Sequence, residues 1–341
     1  MSTDAVGGVW TYASDLRAEL ATVGVEVVLA TLGPQSPPGP DGLWLDCRLE
    51  WQDDPWDDVQ RSGDWLRELA RAAQADVLHL NGYAHAAQDW PVPVLVTAHS
   101  CVLSWHEAVH GAPAGAQWER YRDAVGAGLR RADVLVSPTA AMRVALRRHY
   151  GLTQPCRVIP NGVSPHPAAP QRREPLVLGA GRLWDEAKGL QTLDAAAQGL
   201  PWRVEVAGAA GGREARHARL LGQIERTVLR TRMGRAAIFA HPARYEPFGL
   251  VVLEAALAGC PLVLGDIASL REQWDGAALF VAPGDSAALH AALQRLIDDA
   301  PLRDELAAAA HGRARERGVR GTAMGYIALY ERLRTRRRVA A

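Results

Sequence analysis

The chain has 341 residues, about two domains' worth of length, and 48% of them are hydrophobic, enough for each half to bury a core. Lys plus Arg and Asp plus Glu both number 38, so the formal net charge is zero, which excludes the basic excess that marks nucleic-acid binding. Cys47, Cys101, Cys156 and Cys260 are too scattered for a metal site or disulfide framework and read as reduced thiols of a cytoplasmic protein. No apolar run is long enough for a bilayer span, and no signal peptide is expected.

The chain opens on a Gly7-Gly8 turn that leads into a helix through Thr11 to Ala21. A strand should precede that turn, but Met1 to Asp4 is too short for a full one, so either the true start lies upstream or the first sheet lacks most of its first strand. Strands are then predicted at Val25 to Thr31, Asp76 to Leu80, Val92 to Ala98, Val134 to Ser137 and Val158 to Pro160. A second set is predicted at Leu176 to Gly181, Arg203 to Ala207, Ala237 to Ala240, Pro261 to Leu264 and Ala278 to Val281. Several are continuous apolar runs, the pattern of parallel strands covered on both faces. Helical patterns alternate with them, among them Trp65 to Ala73, Tyr121 to Arg131 and Leu289 to Asp298. The alternation predicts an α/β fold with parallel sheets. The Pro-rich stretch from Ser164 to Pro175 divides the two sets. The predicted domains are therefore 1–164 and 165–320.

One compositional fact is sharper. Lys188 is the only lysine, and Asn81 and Asn161, each before glycine, are the only asparagines. The bias fits coding pressure toward GC-rich codons, so residues that survive it are candidates for jobs that substitutes cannot do; chance survival is the alternative.

The richest segment is RYEPFGLVVLEAALAGCPLVLGD. Pro247 fits the first turn of a helix and Gly259 its stop. Glu246 would sit at the entrance with Glu254 eight residues on, about 80° beyond two full turns, so both carboxylates would line one side of a cleft. The N–H groups near Phe248 and Gly249 would form an anion site beside them. Arg182 follows a predicted strand directly, and His99 and Asn81 also follow strands. All three would lie at the carboxyl edges, where open α/β sheets bind ligands.

EPFGLVVLE resembles the E-x7-E motif of the retaining GT-B glycosyltransferases, family 4 in particular. GAGRLWDEAKG resembles the same family's Arg…Lys diphosphate clamp, DAVGGVWTY its N-terminal Gly-Gly loop and VIPNGV its inter-domain crossing. The resemblance runs from about Asp4 to Leu333, with the motifs in the family's order. It implies a GT-B fold, two Rossmann-like domains with parallel sheets facing across a cleft, and a C-terminal helix at 321–335 packing back on the first domain. The first domain would bind acceptor and the second a nucleotide-sugar.

Residue by residue, the resemblance implies that Glu254 holds the ribose hydroxyls and Glu246 the donor sugar's hydroxyls. It implies that Arg182 and Lys188 neutralise the diphosphate, and that the backbone at Phe248, Gly249 and Leu250 supports sugar and phosphate. Gly7 and Gly8 would approach the donor phosphates, and His99 would line the sugar pocket. Asn81 and Trp105 are the acceptor-side candidates. This sequence departs from the family pattern in the longer WDEA spacer before Lys188 and in its nearly absent first strand.

The implied activity is retaining transfer of a hexose-type sugar from a nucleotide-diphosphate sugar to a carbohydrate or lipid-linked acceptor, as in polysaccharide biosynthesis. No cofactor is expected, since the nucleotide-sugar is a substrate, and no metal: His79, His85, His106 and His110 lack ligand spacing. The alternatives are a non-catalytic carbohydrate-binding relative, against which the intact Glu246, Glu254, Arg182 and Lys188 argue, and a nucleotide-linked oxidoreductase. The latter needs a dinucleotide glycine fingerprint, whereas Gly208 to Gly212 reads as a loop flanking the donor base. Trp51, Trp56 and Trp65, among Asp53, Asp54, Asp57 and Asp58, suit either carbohydrate or core packing. The Arg-rich tail from Arg332 to Arg338 reads as a solvated helix end, or as weak peripheral contact with the inner face of a membrane.

Overall fold

The computed structural model describes residues 1–5, 7–37, 43–164 and 173–340, with the side chains of 336–340 left aside. The divider expected at 164–175 falls mostly outside these residues. The chain forms two compact units, one of Met1–Glu107, Gly111–Ser164 and Val319–Ala341, the other of Ala108–His110 and Pro165–Gly318.

The first unit is built from β1 (Ser2–Asp4), α1 (Gly8–Thr22), β2 (Ala30–Leu32), β3 (Leu43–Leu45), α2 (Trp56–Ala72), β4 (Leu78–Leu80) and β5 (Val94–Thr97). It continues with α3 (Val102–His110), α4 (Glu119–Arg131), β6 (Val134–Ser137), α5 (Ala140–Tyr150) and β7 (Cys156–Val158). Its strands make two ladders, β1-β2-β3 and β4-β5-β6-β7, and every pairing is parallel. Where β1 meets β4, Asn81 closes the seam. Its backbone N–H donates to Ser2 Oγ at 3.2 Å and its Nδ2 to the Ser2 carbonyl at 2.7 Å.

Local chemistry sets the helix ends. Tyr12, Ala13, Leu16 and Leu20 form the buried face of α1. Thr139 caps α5 by accepting from Met142 N–H, and Gly151 ends it in a left-handed conformation. Asp57 and Asp58 stand in the first turn of α2, where carboxylates suit the helix dipole. Trp56 and Trp65 pack against the core of Leu66, Leu80, Val96 and Leu129, so for these two tryptophans packing is the role observed.

The second unit holds β8 (Glu174–Ala180), α6 (Leu190–Ala197), β9 (Arg203–Ala207), β10 (Arg219–Gly222), α7 (Arg226–Arg235), β11 (Ala236–His241) and α8 (Leu250–Leu257). After these come β12 (Leu262–Gly265), α9 (Ala268–Trp274), β13 (Leu279–Val281), α10 (Ser286–Asp298) and α11 (Ala300–Arg315). Its six strands run parallel in the order β10-β9-β8-β11-β12-β13. This is the doubly wound arrangement, whose strand order reverses between β8 and β11. Val177, Ile238 and Val263 from the central strands form its core with Leu193, Leu289 and Leu293.

The last helix, α12 (Val319–Ala340), belongs to the first unit. Tyr326 and Tyr330 dock it: Tyr326 Oη lies 3.0 Å from Thr97 Oγ1, and Tyr330 Oη lies 2.7 Å from His79 Nδ1. Among the described residues no helix is long and apolar enough to cross a membrane.

Several boundaries differ from expectation. The strand predicted at Val25 to Thr31 is observed at Ala30–Leu32, where it pairs with Ser2–Asp4 on one side and Leu43–Leu45 on the other. The strand predicted at Val158 to Pro160 shifts to Cys156–Val158, since Pro160 has no N–H for a ladder. β3 and β10 escaped the sequence reading.

Candidate active site

The reversal between β8 and β11 marks the crevice at the carboxyl ends of the strands where open α/β sheets bind ligands. Three segments of the second unit converge there: the loop after β8 with Arg182 and Lys188, the end of β11 with His241, and the loop into α8 with Glu246.

Lys188 and Glu246 form an ion pair, Nζ to Oε2 at 3.0 Å, with side chains only 8% and 14% exposed. Lys188 Nζ also donates to the Tyr245 carbonyl at 3.2 Å. His241 Nε2 lies 3.2 Å from the same Glu246 oxygen. Burial pushes the Glu246 carboxyl toward protonation, but the Lys188 ammonium and the His241 contact prevail and hold it well below the usual carboxylate range. The cluster is thus a fixed carboxylate with an ammonium already beside it.

The WDEA spacer is ordered. Asp185 Oδ1 accepts from Ala187 N–H at 3.0 Å, capping the 3-10 turn Glu186–Lys188, and its Oδ2 lies 3.4 Å from Arg182 Nη2. The Arg182 guanidinium also stands over the ring of Trp184, 5.5 Å from its centroid. Trp184 is an exposed tryptophan whose Cβ packs against the glycine loop after β9. A Cβ on Gly211 would come within 2.6 Å of Trp184 Cβ, so only glycine permits that approach.

The helix after Glu246 begins later than the Pro247 signal suggests. Gly249 takes φ 88° and ψ 60° and caps α8, whose first residue is Leu250. A left-handed residue there breaks the helical path, so Glu246 and Phe248 lie in a loop and the 80° helical relation between the two glutamates does not apply. The loop is tied to α9: Ser269 Oγ donates to the Glu246 carbonyl and Gln273 Nε2 to the Phe248 carbonyl, both at 2.6 Å. Glu254 is buried within α8. Its Oε1 accepts from Arg226 Nε at 2.6 Å and from Arg230 Nε and Nη2 at 3.1 and 2.8 Å.

The remaining candidates lie in the first unit. His99 follows β5, and its Nε2 is 2.9 Å from Asn81 Oδ1. Because Asn81 Nδ2 donates to Ser2, Oδ1 is the acceptor and His99 carries its proton on Nε2. Tyr12 packs edge-on against the imidazole at 4.5 Å between centroids. Burial lowers the His99 pKa to about 3, so the ring stays neutral. Gly7 precedes α1 with φ 79°, and Gly8 is the helix's first residue. Trp105 lies within α3, edge-on to His106 at 5.2 Å. Of the other histidines, His79 is bound between Tyr330 and Thr97, and His85 Nε2 lies 2.8 Å from Ser62 Oγ. Among the described residues no group of three His, Cys, Asp or Glu side chains could hold a metal ion.

Sequence reasoning missed His241, Asp185, Arg226, Arg230, Ser269 and Gln273. His241 ends a strand at the ligand-binding edge, the same signal that singled out Arg182. The arginines stand four apart on one helix, but nothing local shows that they face Glu254.

Two family models match the chain in succession, Glycosyltransferase Family 4 over residues 6–166 and Glycosyl transferases group 1 over residues 174–299. The glycogen synthase of Mycobacterium tuberculosis is 31% identical over 286 residues, covering 74% of this chain and 68% of that one. The chain belongs to the family 4, group 1 glycosyltransferases. Among solved structures, this glycosyltransferase resembles sucrose-phosphate synthase from Thermosynechococcus elongatus, with a TM-score of 0.79 at 22% identity over 97% of this chain and 95% of that one. It also resembles Anabaena Alr3699/HepE in complex with UDP-glucose, with a TM-score of 0.73 at 16% identity over 98% and 100%. The fold of this glycosyltransferase is therefore GT-B, α/β with parallel sheets in two Rossmann-like domains.

Proposed function

We propose that this glycosyltransferase is a retaining enzyme that moves a hexose-type sugar from a nucleotide-diphosphate sugar to a carbohydrate or lipid-linked acceptor. The observation that carries the reading is the convergence of Arg182, Lys188 and Glu246 at the switch point of the second sheet. A buried ammonium beside a fixed carboxylate, with the Arg182 guanidinium on the same loop as that ammonium, matches a donor with two anionic phosphates and a hydroxyl-rich sugar. Arg182 and Lys188 would stabilise the charge of the departing diphosphate, and Glu246 would accept hydroxyl hydrogens of the sugar. The backbone at Phe248, Gly249 and Leu250 would support sugar and phosphate, and Glu254 would receive the ribose. Gly7 and Gly8 would let the first loop approach the phosphates. The neutral imidazole of His99 suits a hydrogen bond to a sugar hydroxyl better than proton transfer, and Asn81 and Trp105 stand on the acceptor side.

The positive field of the two cations serves in place of a metal ion, and the donor is a substrate, so turnover needs neither metal nor cofactor. The HepE complex supports a nucleotide-sugar donor, since HepE is held there with UDP-glucose. The protein would work in the cytoplasm, with weak peripheral contact to the inner face of a membrane where the acceptor is lipid-linked.

The test is NMR of the first-formed product in a reaction run with EDTA. The product should keep the donor's anomeric configuration at an undiminished rate. Inversion would remove the retaining assignment, and full loss of activity restored by Mn²⁺ would remove metal independence.

A further inference from the structure

Glu254 is held by two arginines. All three guanidinium bonds that it receives fall on one oxygen, Oε1, and come from two arginines. Arg226 and Arg230 stand four residues apart on α7, so both project from one face of that helix. Resting on the reading of Glu254 as the ribose ligand, we propose that Arg226 and Arg230 are positioning residues that set Glu254 to select ribose hydroxyls on the donor nucleotide.

The argument is electrostatic and geometric. An ionised carboxylate is an acceptor only, and a protonated one donates through one oxygen. Glu254 is buried, with a side chain 7% exposed. Two guanidiniums fix its rotamer by three bonds to one oxygen. With these bonds on Oε1, Oε2 is the oxygen left to accept from an incoming hydroxyl donor. A nucleotide lacking one of those hydroxyls leaves a buried acceptor short of a partner, which is how polar sites reject the missing group.

The test crosses edits of the ligand with edits of the protein. UDP, GDP and ADP are titrated calorimetrically, and the tightest binder is compared with its 2′-deoxy and 3′-deoxy forms. The wild type should prefer the ribonucleotide by about ten-fold over at least one of them. Arg226→Gln and Arg230→Gln should draw that ratio toward one, chiefly by weakening the ribonucleotide, and Arg230→Lys should recover part of it. A helix that merely lost stability would weaken all three ligands alike. If Arg230→Gln does not fold, Arg226→Gln, whose side chain is a third exposed, gives the same readout. An unchanged ratio in the arginine variants, with the ratio abolished in Glu254→Gln, overturns the inference and leaves the ribose reading standing. No preference in the wild type, or a preference that survives Glu254→Gln, removes the ribose reading and the inference with it.

Discussion

Lys188 is the chain's only lysine, and its ammonium already sits on Glu246 and the Tyr245 carbonyl. Removing it would take away both the proposed donor-phosphate contact and the counter-ion of a buried carboxylate. Lys188→Ala should lower kcat/KM by roughly ten- to 150-fold, the worth of one charge-assisted bond. Lys188→Arg keeps the charge but brings a planar fork to a site shaped for a point charge, so it should recover only part of the loss. Steady-state kinetics on folded variants checks both, and full activity of Lys188→Ala would sink the clamp assignment. Glu50 allows a test of a different kind. Its buried carboxylate accepts N–H bonds from Tyr83 at 3.0 and 3.1 Å and from Ala84 at 2.7 Å. Burial outweighs these bonds, and with Asp4 nearby the pKa is pushed up from 4.5 to about 7. Between those values the folded state keeps a proton that the unfolded state has released, so stability falls as pH rises through that window. The full effect is on the order of 3 kcal/mol. Urea denaturation at pH 5 and pH 8 should show Glu50→Gln gaining on the wild type as pH rises. Parallel stabilities at the two pH values would show that Glu50 does not titrate in this window.

At the scale of elements, legibility followed how local each cause was. Leu176 to Gly181 and Ala237 to Ala240 were readable because central parallel strands are apolar on both faces, and the structure places β8 and β11 there. Leu43–Leu45 and Arg219–Gly222 were not, since three- and four-residue strands with exposed or half-buried side chains carry no period long enough to detect. The start of α8 was misread for a definable reason. Pro247 is a valid first-turn signal, but the left-handed backbone of Gly249 overrides it, and α9 holds the resulting loop through Ser269 and Gln273. Of the charged candidates, Arg182 was legible at a strand end, and Lys188, Glu246 and Glu254 through segments that resemble the family's motifs. Their partners were not: His241 with Glu246, Asp185 with Arg182 and the α7 arginines with Glu254 meet only through the tertiary fold. Asn81 shows the two causes together. Its rarity marked it as a candidate, and the structure gives it a place at the seam of β1 and β4 and a bond to His99.

At the scale of the whole chain, the proposed donor ligands fall mostly in one unit. Arg182, Lys188, Glu246 and Glu254 all belong to the segment Pro165–Gly318, and the fixed loop before α8 belongs there too. A bound nucleoside diphosphate should therefore protect that unit first. A ligand that binds only the folded state suppresses opening in proportion to its concentration over Kd, by about 2.7 kcal/mol at 100 times Kd. Segments whose opening breaks the site feel this, and segments that open without touching it do not. Hydrogen exchange followed by mass spectrometry is the direct measurement. With saturating nucleotide and no sugar, exchange should slow most in residues 181–189, 226–235 and 246–258. The peptides of β5 and β6 should change little, because no proposed nucleotide ligand lies on them. Protection should fall away in Glu254→Gln at equal nucleotide concentration and return when the concentration is raised, the behaviour of weakened binding rather than a damaged fold. Protection centred on the first unit, with residues 181–189 and 246–258 unaffected, would place the nucleotide elsewhere and take the donor assignment with it.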